Sequence, residues 1–181
     1  DLPFGGTDVV ELKLPAEDSV LEMAVSCLGY ADWGAVECTC LDCKVPQLKE
    51  HITSAVPFET IKQLGDVLTR MPTQNLPAYK ALIAATECQH VEDALVLAEQ
   101  LDEHILSSAI ASPEELAVSL SKEDIKLIRP HINLHTYGQA LLASRNSIQT
   151  EYGLLERRDG QPIQSIGQQK QEPRMGEMEL G

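Results

Sequence analysis

The stretch 76–120 reads LPAYKALIAATECQHVEDALVLAEQLDEHILSSAIASPEELAVSL. From Ala81 to Ser121 there is no Lys or Arg, yet there are eight acids: Glu87, Glu92, Asp93, Glu99, Asp102, Glu103, Glu114 and Glu115. Apolar residues recur among them at helical spacing, with Leu82 and Ile83 followed by Val91, Leu95, Leu97, Ala98, Leu101 and Ile105. Helices that have apolar sides to bury and only carboxylates to show to water make a folded acidic surface.

The rest of the chain fits around that block. Its 181 residues suffice for one ordinary core or two to three very small ones. Hydrophobic content of 43% and charged content of 23% place it with globular rather than disordered chains. A net charge of -14 argues against direct nucleic-acid binding, which needs a basic patch, and leaves a basic partner or simple solubility. Residues 1–60 hold 11 acids and 3 bases, residues 61–80 hold 1 and 3, and residues 122–181 hold 8 of each. The acidity therefore sits in two patterned blocks and not in a tail. Five cysteines, an odd number without a signal-like opening, point to a reduced, cytoplasmic setting. No apolar run approaches the ~20 residues needed to cross a bilayer, so no membrane partner is expected.

Before the acidic block, 8–14 (DVVELKL) alternates well enough for a strand, and 16–29 (AEDSVLEMAVSCLG) reads as a helix. Its Glu17 and Asp18 fall in the first turn and Gly29 is a fitting stop. The run 35–41 (AVECTCL) is a second strand candidate. From Pro57 the period turns helical, with Phe58, Ile61, Leu64, Val67, Leu68 and Met71 on one side. Helices over 77–86 and 91–101 complete a small bundle.

Beyond it, Ser112-Pro113-Glu114-Glu115 is a capping box with Pro at the first helical position, and Ser121-Lys122-Glu123-Asp124 offers a second start. Arg129-Pro130 breaks the pattern, Asn133 can cap a helix over 134–144, and 148–156 looks extended. Asp159-Gly160 suggests a hairpin turn returning through Pro162-Ile163. The polar residues after about Ile166 read as an extended tail.

Chemistry-bearing motifs are sparse. Cys38-x-Cys40-x-x-Cys43 could share a zinc with Cys27 or His51, but there is no second CxxC pair, and alternation puts Cys38 and Cys40 on one strand face, where small thiols pack well. The sequence has no HExxH, P-loop, GxGxxG or GxSxG. His51, His90, His104, His131 and His135 are scattered and read as surface or capping residues. Adjacent acid pairs point about 100° apart on a helix and make poor acid–base dyads. The expectation is a non-catalytic chain with no cofactor and no metal.

Over 58–106, the runs ETIKQLGDVLTRM, LPAYKALIAA and HVEDALVLAEQLDEHIL resemble the central region of ArdA-type antirestriction proteins of mobile elements. Tyr137-Gly138 and Thr150-Glu151-Tyr152-Gly153 resemble that family's closing Tyr-Gly elements, and ELKLPAEDSVLEMA its opening pattern more loosely. The likeness spans roughly residues 8–158. It implies three small domains in a row, a homodimer, and an elongated acidic surface that mimics bent B-form DNA and blocks type I restriction–modification enzymes. Unlike the family, this chain balances its charge after Ser121.

The sequence thus predicts an elongated α+β chain: a small α/β module over 1–52, a short-helix bundle over 53–110, a mixed α/β module over 111–166 and a polar tail over 167–181. The expected partner-binding surface comprises the eight acids of 81–121, extended by Glu17, Asp18 and Glu22. The alternatives are an acidic protein–protein adaptor and a small zinc-binding module.

Overall fold

The computed structural model describes residues 9–120 and 132–170 and is of the α+β class. The chain divides into two compact units, 1–71 and 72–181. The helix over the Phe58 run belongs with the residues before it, whereas the sequence grouping placed it with those after.

In the first unit, α1 (Asp18–Cys27) buries Leu21, Ala24 and Val25, and α2 (Phe58–Arg70) buries Ile61, Leu64 and Leu68. Val36, Val45, Leu48 and Ile52 from the intervening loops and turns complete its core. Trp33 stacks on Phe58, with ring centroids 3.7 Å apart. The helix ends as its Gly29 suggests: Gly29 sits at φ +78, its N–H reaches Ser26 O, and the N–H of Tyr30 reaches Val25 O. That pair of bonds closes the last turn, and the left-handed residue it requires is cheapest as glycine.

Neither expected strand forms here. Residues 9–13 carry no strand, and Val9 is 85% exposed. Of the 35–41 run only Thr39 pairs, in an isolated bridge to Thr53. An alternating run becomes a strand only when another strand offers its backbone groups. Among the described residues of this unit none does, so the described part of the α/β module expected over 1–52 is helical and loop-built.

The second unit is organised around α3 (Leu76–Ala85), which buries Tyr79, Ala81, Leu82 and Ile83. The Tyr79 hydroxyl donates to Ala94 O of α4 (Val91–Glu99) at 2.6 Å. On another side α3 packs against a three-stranded antiparallel sheet. Its strands are β1 (His104–Ser107), β2 (Ile148–Thr150) and β3 (Gly153–Arg157), in the order β1-β3-β2. His104 faces Arg157, Leu106 faces Leu155, and Ile148 also faces Leu155.

Strand β3 is central and buried on both faces. Leu154 clusters with Leu116 of α5 (Pro113–Leu120) and Leu142 of α6 (Leu134–Ser144). Leu155, equally buried, must point to the opposite face, the side of α3. The helix over 134–144 matches its expected span, and Asn133 Oδ1 accepts from Thr136 N as an N-cap.

Strand β1 was not foreseen, and it joins residues that the sequence grouping had separated at 110/111. The hairpin also falls elsewhere than expected. Its turn is at Glu151-Tyr152, while Asp159-Gly160 makes a turn after β3 with no returning strand among the described residues. Residues 166–169, expected as extended tail, form a short helix α7 (Ile166–Gln169). The second capping candidate at Ser121 and the break at Arg129-Pro130 lie outside the described residues.

Two backbone positions lend themselves to mutation. A Cβ on Gly138 of α6 would lie 2.0 Å from the Pro113 carbonyl oxygen, so that α6 crosses the start of α5 at backbone contact. Gly138→Ala is expected to destabilise by roughly 2–3 kcal/mol or more, the scale of forced overpacking, read as a lower urea midpoint. At the end of α3, Glu87 occupies the left-handed slot at φ 54, and Cys88 N reaches back to Ile83 O. Glu87→Gly should relieve about 1 kcal/mol of backbone strain and raise the melting temperature.

Candidate functional site

The carboxylates of the expected acidic surface differ in what they touch. In the first unit, Glu17 is exposed at the N-cap of α1, and its carbonyl accepts from Val20 N and Leu21 N. Asp18 is paired with Lys62 of α2 at 3.0 Å, and Lys62 also lies 3.7 Å from Glu59. The hydrogen bond that Lys62 donates to the Asp18 carboxylate raises the Lys62 pKa, so that cation stays charged. A hollow of about 360 Å³ lined by Pro15, Ala16, Glu17, Asp18, Lys62 and Asp66 lies beside the pair. Glu22 is exposed on α1.

In the second unit the acids divide by their partners. Asp93 is not a surface group: it is 6% exposed and ion-paired with Lys170 at 2.8 Å. Glu103 lies 3.6 Å from Arg157, and the Asp102 carbonyl accepts from Arg158 Nε at 2.7 Å. Glu114 pairs with His135 at 2.6 Å. Glu115 turns back on its own helix start, accepting from Ala111 N while its own N–H donates to Ser112 Oγ. Ser112 thus caps α5 as the sequence suggested, but the returning Glu115 carboxylate takes the Ala111 amide and not that of the capping residue, so the reciprocal half of the box is not formed.

Four exposed acids of this unit have no ion pair among the described residues: Glu87, Glu92, Glu99 and Asp102. Glu92 and Glu99 lie seven residues apart on α4, about 10 Å along its axis at 1.5 Å per residue. Val96, 46% exposed, shares that face between them. Glu87 precedes the helix and Asp102 follows it. The row is thin. Duplex DNA would present about six phosphate charges over the same ~10 Å, at one per ~1.7 Å.

The chain matches no known family model and no curated protein.

Sequence counting missed the bases that fold back onto the acids. Lys170 stands 77 residues from Asp93, and no spacing rule links them. It also missed buried His104, whose Nδ1 is 2.9 Å from Gln100 O, at the start of β1.

The thiols are not arranged as a metal site. Among the described residues no group of three or more His, Cys, Asp or Glu could hold a metal ion. Cys38 Sγ faces Val36 O at 3.8 Å, Cys40 Sγ faces Asp42 O at 3.3 Å, and Val45 N donates to Cys43 Sγ at 3.5 Å. Burial raises the pKa of both Cys38 and Cys40, which favours the thiol over the ligating thiolate. No helix among the described residues is long and apolar enough to cross a membrane.

The Glu114 carboxyl is held below its usual pKa, first by its own backbone amide and then by His135. A depressed carboxylate pKa adds stability above the unfolded-state value and loses it as the pH falls through the folded one. His135→Ala should therefore raise the Glu114 pKa yet leave it below the ordinary range, because the amide remains. A carboxyl NMR titration reads this directly, and an unchanged midpoint would show that the imidazole contributes nothing.

Proposed function

We propose that this chain is a non-catalytic, acidic protein-binding module. The row Glu87, Glu92, Glu99 and Asp102 engages Lys and Arg on a partner that normally holds DNA. The single observation that carries this is the exposure of those four carboxylates, without ion pairs among the described residues, in a stretch with no Lys or Arg. The partner class that the ArdA-type resemblance implies is a type I restriction–modification enzyme, with the acidic row occupying part of its DNA groove. A homodimer, as that resemblance implies, would double the row.

The thinness of the row limits this reading to partial occupancy. Asp18, Asp93, Glu103, Glu114 and Glu115 are engaged within the chain, and they drop out of the decoy set. A second reading, the adaptor, draws support from Val96 and from Ile105, which is 42% exposed. An adaptor would dock through such apolar groups, with the acids serving solubility.

The deciding experiment is transfer of unmodified plasmid into a host restricting through a type I enzyme, with and without this protein expressed. Protection that falls at least tenfold in a Glu92→Lys/Glu99→Lys double variant supports charge mimicry. Protection that survives the reversal but is lost in Val96→Asp supports the adaptor. With purified components, mimicry further requires affinity to weaken between 50 and 200 mM salt, because exposed charge contacts are screened within about 8–10 Å.

A further inference from the structure

Residues 164–170, QSIGQQK, are polar and too short for a self-supporting helix. They nevertheless form α7, started by a reciprocal box in which Ser165 caps the helix and Ser165 N donates to Gln168 Oε1 at 3.2 Å. Gln169 Nε2 donates back to Gln164 O at 3.1 Å. The turn is fastened to the α3–α4 corner at two points. Ile166 N donates to Thr86 O at 3.1 Å, satisfying a carbonyl that the end of α3 leaves open. Lys170 Nζ reaches the Asp93 carboxylate at 2.8 Å.

The two partners of that ion pair are unequally placed. The Asp93 side chain is 8% exposed and the Lys170 side chain 59%. A desolvated anion is thus neutralised by a cation that solvent can reach, carried on a segment whose largest apolar contribution is half-buried Ile166. Between the segment and the corner lies a cavity of about 320 Å³, lined on the corner side by Glu87, Gln89, His90 and Asp93. Glu87 belongs to the acidic row, and Glu92 adjoins Asp93 in sequence.

We infer that 164–170 is an autoinhibitory strap whose Lys170 occupies, on Asp93, the place of a basic residue of the partner. The inference rests on the acidic-surface function proposed above and names its regulation. With the strap open, Asp93 joins Glu87 and Glu92 at the start of α4. With it closed, a tethered cation competes at the high effective concentration of an intramolecular ligand. Salt loosens the strap, because one member of the pair is solvent-exposed.

The test uses the full chain and decalysine as the probe. Lys170→Gln should speed amide hydrogen exchange at Ile166 and Lys170 at least tenfold. It should tighten decalysine binding at least threefold relative to Lys13→Gln, which changes net charge equally in the other unit. Gln168→Ala removes the capping box without changing charge and should move both readouts in the same direction. Unchanged exchange in Lys170→Gln, or equal decalysine affinity in Lys170→Gln and Lys13→Gln, would overturn the strap. A chain that meets both expectations yet gives no protection against restriction keeps the strap and loses the restriction target.

Discussion

The second unit depends on one helix being buried from several directions at once. Tyr79, Ala81, Leu82 and Ile83 are buried, and α3 meets water mainly along the stripe of Pro77, Lys80 and Ala84, so neighbouring elements must cover the rest. Its one buried hydroxyl is spent on Ala94 O, which fixes the height of α4 against α3. A buried tyrosine without such an acceptor would carry a desolvation cost of about 1–3 kcal/mol, comparable with a good part of a small unit's stability. The sheet covers the other side, and α4 is thereby left with its Glu92–Val96–Glu99 face outward. The acidic row is a by-product of how α3 is covered.

Charge in this protein has to be read after folding. Along the sequence the acids of 81–121 look uncompensated and the last third looks neutral. In space, Lys170, Arg157 and His135 leave that neutral third and return to Asp93, Glu103 and Glu114. Of the acids of 81–121, those that face water without an ion pair among the described residues are a narrower set on and around α4. A narrow row suits contact with a few basic residues better than replacement of a whole duplex segment.

How much was legible follows from the range of the interactions. Signals a few residues long were read well: Gly29 ending α1, Asn133 starting α6, and Ser112 with Glu115 starting α5. Each is a local backbone hydrogen bond that the sequence spells out. Strands were read poorly, because alternation reports a wet and a dry face but not a partner. The 8–14 run alternates, but its residues from Val9 on have no partner strand among the described residues. HILS at 104–107 is too short to stand out, yet it pairs with residues some fifty positions away. Of the candidate site, the identity of the acids was legible, and their neutralisation was not.

The sheet also sets an order of events. Strand β1 ends at Ser107, but the central strand that it pairs with begins at Gly153, and α5 and α6 lie between. At roughly 5–20 residues per second, a ribosome needs several seconds to deliver that partner. Throughout the interval β1 has an unpaired backbone edge and α3 an uncovered apolar flank. The second unit cannot be completed as it is made, so its nascent form is sticky, and a chaperone that shields bare strand edges has a defined window in which to act.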